Sequence, residues 1–324
     1  MNPHFWEKRN VLVTGCNGHI GVEIVDRLSL KGANIAALDI GEKVHPLLEK
    51  NANVHYCSLD LTDHDKMKTF ISGNDFSTCI HLAANSNVVE MNEHPEIAFK
   101  VNVQGAWQLF ELMRRYLPAC HLVFTSSNHV YGKQDLYPTI EASGFHGENI
   151  YGVTKGAADQ IAMGYARVYK LPIAVARITN TFGGKLFSPG HLIPHTIRLL
   201  LKDENPLIRS DGQSRKGLLY MEDTLSGIIL LTEKMENCNI HGEAFNFFPD
   251  KNMSVLEIVQ TIISVMGKNR LTPIVEGKMR LENEIDIEFL DNKKAKEMLG
   301  WRIKYTFPDG ISRAIAHDYK SLGE

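Results

Sequence analysis

The chain has no apolar run near the roughly 18 residues of a membrane-spanning helix, so nothing in it is expected to lie in a membrane. It is also short of cysteine, with five in 324 residues. Cys16, Cys57, Cys79, Cys120 and Cys238 are odd in number, widely scattered and form no CxxC pair. Neither a disulfide framework nor a zinc site is implied, and the expectation is reduced thiols in a cytoplasmic protein that holds no metal. Charge of neither sign dominates. Lys and Arg number 35 against 38 Asp and Glu, for a net charge of −3. That balance gives no reason to expect nucleic acid or an anionic membrane as partner. The opening Met1 to Asn10 lacks the apolar core of a signal peptide. Internal repeats and low-complexity linkers are missing too. What is present is an ordinary globular composition, 44% hydrophobic and 23% charged. The length suffices for one large domain or two smaller ones with buried cores.

Up to about residue 180, short apolar runs alternate with longer amphipathic stretches. Asn10 to Thr14, Asn34 to Asp39, Val54 to Ser58, Thr78 to Leu82, His121 to Ser126 and Ile173 to Arg177 read as buried strands. Helical patterns such as Ile20 to Lys31 and Ile97 to Tyr116 fill the gaps. Strand–helix alternation predicts an α/β fold, a Rossmann-type doubly wound parallel sheet. Beyond Asn180, glycine and proline become frequent and short helices alternate with short strands. The expected division is a dinucleotide-binding domain over 1–180 and a smaller α/β lobe over 181–324, with some chain crossing between them.

Two motifs carry chemistry. Thr14-Gly15-Cys-Asn17-Gly18-His19-Ile20-Gly21 follows a strand and opens a helix. Glycines there permit a tight turn and close approach of backbone to a pyrophosphate, and the helix N-terminus supplies free N–H groups. Asp39 ends the second strand, near the spacing of the acid that takes a ribose 2′-hydroxyl. A 2′-phosphate would meet that carboxylate, and Ile40 to Lys43 offers no arginine, so NAD is favoured over NADP. Asp60 and Leu61 flank the adenine in this reading. Leu82 ends the fourth strand on the cofactor side, and Ala83 and Ala84 after it are small enough to let a cofactor lie against backbone. The second motif is Tyr151-Gly-Val-Thr-Lys155. A tyrosine with pKa about 10 is a poor base at neutral pH. Lys155, one helical turn on, places an ammonium on the same face and draws the tyrosine toward its working range. Ser127 follows the fifth strand and is placed to hydrogen-bond the same hydroxyl.

These residues resemble the extended short-chain dehydrogenase/reductase family, specifically its NAD-dependent nucleotide-sugar epimerases and dehydratases, over essentially the whole chain. His81-Leu-Ala-Ala84, Asn102 in Val101-Asn-Val-Gln-Gly105, Thr125-Ser-Ser-Asn-His-Val-Tyr-Gly132 and Arg177-Ile-Thr-Asn180-Thr-Phe-Gly183 are similar to that family's segments. So are Leu192-Ile-Pro194, Gln213-Ser-Arg215 and Ala295-Lys-Glu-Met-Leu-Gly-Trp301. The resemblance implies that Asn102 serves the cofactor site, that Asn180 meets the nucleotide-sugar diphosphate, and that Arg215 and Arg280 are phosphate ligands. It also implies a homodimer formed through the Ile97 to Tyr116 and Ile150 to Val168 helices. Phe5-Trp6, Gly242 to Phe247 and the segment from Val255 look most like CDP-glucose 4,6-dehydratases.

The departures bear on the reaction. A 4,6-dehydratase oxidises C4, eliminates water across C5 and C6, and returns the hydride to C6. The resembled family places an Asp, then Glu or Lys, directly after its catalytic Ser or Thr. Here Asn128 and His129 stand there. An amide cannot donate a proton as a carboxylic acid can, whereas His129 can act as acid or base near neutrality. Tyr-Gly-Pro is replaced by Phe182-Gly-Gly184, and Lys216 stands where an acidic residue is usual. The leading expectation is an epimerase that oxidises a sugar hydroxyl transiently, at C4, on a nucleotide-diphosphate hexose. The alternatives are a 4,6-dehydratase using Asn128 and His129, a net nucleotide-sugar dehydrogenase or reductase, and a dinucleotide-binding protein without catalysis.

Overall fold

The computed structural model describes residues 4–188, 190–236, 238–277 and 285–319. Seven strands form one parallel sheet: β1 (Asn10–Thr14), β2 (Asn34–Asp39), β3 (Val54–Ser58), β4 (Thr78–His81), β5 (His121–Ser127), β6 (Ile173–Ile178) and β7 (Ala244–Phe247). Their spatial order is β3-β2-β1-β4-β5-β6-β7. All six pairings are parallel. Strands buried on both faces need apolar side chains at every position, and β4, β6 and β7 are buried throughout. The six strands expected from their Val- and Ile-rich runs are present, with ends within a residue or so. The seventh comes from the Ala-Phe-Asn-Phe run at 244–247, so the chain returns from the second half of the sequence to complete the sheet.

Helices cover both faces. On one, α1 (His19–Leu30) and α6 (Met221–Lys234) pack Val22, Val25, Leu28, Leu225 and Ile228 against Val11, Val13, Val123 and Phe245. On the other, α2 (His64–Ser72), α3 (Ala106–Tyr116) and α4 (Ile150–Tyr169) set Met67, Leu109, Phe110, Ala158 and Ala162 against Leu12, Leu122 and Phe124. Burying each large apolar side chain contributes about 1.5–3 kcal/mol, so these two layers anchor the sheet. The stretch expected as one helix from Ile97 is divided. It runs through a wider π-type segment at Phe99–Gly105 before α3 begins. A third apolar cluster lies in the C-terminal half, where α5 (Leu192–Leu201) and α7 (Val255–Val265) bring Ile193, Ile197, Ile258 and Ile262 together with Phe182 and Ile311. Among the described residues no helix is long and apolar enough to cross a membrane.

Register fixes where the chemistry gathers. Thr14 pairs with both Leu38 and His81, His81 with Phe124, and Ser127 with Ile178. The strands therefore end along a common edge. The turn at 15–21, the loop at 82–84, Asn128 and Asn180 all leave from it. Strand order reverses between β1 and β4, and a doubly wound sheet binds ligands in the crevice at such a point.

Candidate active site

Gly15 has φ +74°, and a Cβ there would lie 2.7 Å from the Ala83 nitrogen. At Gly21 a Cβ would lie 2.0 Å from the Gly15 carbonyl oxygen. Only glycine lets the turn press backbone to backbone and deliver α1 directly behind it. No side chain caps α1 at Gly18. The first-turn N–H groups of His19, Ile20 and Gly21 are therefore left to a ligand anion. Asp39 accepts from Asn17 N (2.9 Å) and Ile40 N (2.8 Å), which fixes its carboxylate beside the turn. The Asn17 side chain ties the turn to the next loop, donating to Lys43 O and accepting from His45 N. His19 bonds the Gly183 carbonyl at 2.6 Å and so joins the cradle to the loop after β6.

Several expected cofactor residues hold the crevice walls in place. Asp60 accepts from the backbone and hydroxyl of Thr62, both at 2.8 Å, and buried Leu61 receives Gln108 on its carbonyl. Asn102, almost fully buried, bonds Asn85 N and O and the Thr154 hydroxyl. It thereby clamps the loop after Leu82, Ala83 and Ala84 to α4. Ala83 N in turn donates to Thr14 Oγ1.

From Thr14 a line of bonds crosses the sheet edge. Thr14 Oγ1 bonds His81 Nδ1 at 2.6 Å, Thr125 Oγ1 donates to His81 O at 2.8 Å, and Lys155 Nζ donates to Thr125 O at 2.6 Å. Burial holds His81 neutral, with its pKa pushed down to about 3. Asn149 caps α4 by accepting from Gly152 N, which sets Tyr151 in the first turn and Lys155 one turn later. The close approach of α4 to the 128–130 turn needs Gly152, where a Cβ would sit 2.5 Å from His129 O. Ser126 Oγ is buried at the end of β5 with no hydrogen-bond partner among the described residues, so it is open to a water or a ligand atom.

Tyr151 is half-buried, with its hydroxyl on the side of Ser127. Burial pushes its hydroxyl above the ordinary tyrosine value. The lowering expected from Lys155 is not part of this balance, because the ammonium is directed to the Thr125 carbonyl and the Phe124 ring, 4.4 Å away. Burial lowers Lys155 itself to about 7, with Asp159 opposing. Since the unfolded lysine titrates near 10.5, the folded chain binds fewer protons between pH 7 and that value. Stability therefore rises with pH across the window and is reduced below it. Thermal unfolding should show Lys155→Met losing this rise, a difference on the order of a few kcal/mol between pH 6 and pH 10. Equal pH dependence in both proteins would contradict it.

The next turn holds a group that the sequence reading missed. Glu288, only 4% exposed, accepts from Asn128 Nδ2 and from Asn180 Nδ2, each at 3.0 Å, on one oxygen. Its other oxygen lies 3.2 Å from Lys216 Nζ. Asn128 Oδ1 then faces Ser127 Oγ at 3.4 Å, and His129 N donates to Ser127 Oγ. The His129 ring meets the Tyr151 ring edge-on, 5.6 Å between centroids. Burial lowers the His129 pKa, Glu288 opposes that and Lys216 adds to it. Arg215 is farther out, bonded to Asn252 and 3.4 Å from Glu257 at the start of α7. Arg280 lies outside the described residues. Ser127, Asn128, His129, Tyr151, Lys155 and Asn180 are thus brought to one end of the sheet, beside the cradle.

The profile of the GDP-mannose 4,6 dehydratase family matches residues 12–314. The UDP-glucose 4-epimerase of Cyamopsis tetragonoloba is 28% identical over 92% of this chain and 91% of its own. The crystal structure of a UDP-glucose 4-epimerase with UDP-glucose from Thermotoga maritima has 25% identity and a TM-score of 0.85, covering 97% of this chain and 99% of that one. A dTDP-glucose 4,6-dehydratase from Bacillus anthracis, solved in complex with NAD, shares the fold with a TM-score of 0.82 at 24% identity, covering 97% and 99%.

Proposed function

Because the chain belongs to the GDP-mannose 4,6 dehydratase family, among the extended short-chain nucleotide-sugar epimerases and dehydratases, we propose that it is an NAD-dependent nucleotide-sugar epimerase acting by transient oxidation at C4. The observation that carries this reading is the placement of Tyr151 beside Ser127 at the sheet edge where the glycine cradle also ends. NAD supplies a hydride acceptor when bound. The cradle at Gly15, Gly18 and Gly21, Asp39, and the orphan hydroxyl of Ser126 fit such a dinucleotide. Tyr151 takes the proton of the sugar hydroxyl, Ser127 holds the same oxygen, and Lys155 fixes the geometry through Thr125. Residues 1–180 carry the cofactor side of the site, while Asn180 at its end and Arg215 and Arg280 from 181–324 hold the nucleotide sugar.

Asn128 favours epimerisation, since its amide cannot protonate a leaving hydroxyl. A 4,6-dehydratase is the second reading, favoured by His129 packed against Tyr151. Incubation with UDP-, dTDP-, GDP- and CDP-glucose followed by mass detection separates them. An epimerase leaves the mass unchanged and changes chromatographic mobility. Loss of one water supports the dehydratase, and NADH formed in proportion to substrate makes the chain a net dehydrogenase.

The proposed assembly is a homodimer. Phe99 (44%) and Trp107 (45%) are exposed and, with Val103 and Ile161, line a groove between α3 and α4. Light scattering should give twice the chain mass, and Trp107→Glu should give a monomer. A monomeric wild type would contradict the assignment.

A further inference from the structure

The carboxylate of Glu288 is buried between two amides and an ammonium. We infer that Glu288 is a positioning residue that fixes the polarity of the Asn128 amide, and through it the proton of Ser127. A carboxylate only accepts, so Asn128 must present Nδ2 to Glu288 and Oδ1 to Ser127. Facing a carbonyl oxygen, the Ser127 hydroxyl donates to Asn128, which turns its proton away from Tyr151. Glu288 also turns Asn180 so that Nδ2 points inward. With Lys216 on its second oxygen, the group is held as an acceptor rather than used as an acid. The 128 side chain and the 288 side chain together need one acceptor-only partner, and this chain places it at 288.

The inference deepens the proposed function and rests on it for the role of Tyr151. Its test is a charge exchange between the two positions. In Glu288→Gln the new amide lets Asn128 reverse, with Nδ2 toward Ser127. The Ser127 proton is then released to Tyr151, which favours the phenolate. Tyr151 should titrate at lower pH, read as the phenolate absorbance difference between each variant and the same variant carrying Tyr151→Phe. The misdirected Ser127 hydroxyl should lower kcat about 10- to 100-fold with KM nearly unchanged. Asn128→Asp alone sets two carboxylates side by side and should also lose activity. The double variant Asn128→Asp/Glu288→Gln restores an acceptor facing Ser127, so both the titration and kcat should return to within a few-fold of wild type. Additive losses, an unmoved titration in Glu288→Gln, or unfolding of all three variants would overturn the inference and leave Glu288 a structural role. The titration uses the enzyme as purified, without sugar. If no nucleotide sugar is turned over, the proposed function fails while the positioning of Tyr151 is still decided by the spectrum.

Discussion

Replacing Tyr151 by phenylalanine should lower kcat by about 10²- to 10⁴-fold, with the fold and the bound cofactor retained. The ring stays, so its packing against His129 and the first turn of α4 is kept. What is lost is the hydroxyl beside Ser127, at the place where a sugar oxygen must give up its proton. Burial holds that hydroxyl above its ordinary value, so the base is strong once formed. Steady-state kinetics with the preferred nucleotide sugar measures the loss, and circular dichroism with cofactor content shows that it is chemical. Unchanged turnover would mean that Tyr151 is not the base.

Gly21→Ala should be the most damaging single methyl group in the cradle. Its Cβ would sit 2.0 Å from Gly15 O and 2.9 Å from Cys16 Cα, both backbone, with no flexible side chain to move aside. Relief requires the start of α1 to swing away from the turn, which spoils the N–H cluster that faces the pyrophosphate. Overpacking of this kind costs about 1–3 kcal/mol of stability. The cofactor should bind at least about 100-fold more weakly, since each tenfold needs only 1.4 kcal/mol. Calorimetric titration with NAD and thermal unfolding measure the two effects. A variant with wild-type affinity would show that the cradle is not where the dinucleotide sits.

Much of this was legible in the residues. Val and Ile runs mark six strands because a strand buried on both faces has no polar positions to vary. The glycines are legible because their spacing serves one turn. β7 was not, since four residues between turns carry too little periodicity and pair with a strand some seventy positions earlier. Lys155 shows a different limit. The helical spacing places it near Tyr151, but its ammonium finds the Thr125 carbonyl, a partner set by how α4 lies on β5. Glu288 was invisible for a physical reason. In Ile285-Asp-Ile-Glu-Phe289 the alternation reads apolar inward and acidic outward. The chain does the reverse at the site, burying Glu288 and leaving Ile287 38% exposed, because Asn128, Asn180 and Lys216 converge on the carboxylate.

The most direct measurement follows the hydride. The nucleotide hexose that the enzyme converts, carrying deuterium at C4, is incubated in ordinary water and the product examined by NMR. Epimerisation through transient oxidation predicts the inverted sugar with deuterium still on C4 and no accumulation of NADH. Deuterium moved to C6 with loss of water would replace the epimerase by a dehydratase. Deuterium lost to solvent would contradict transient oxidation at C4 altogether.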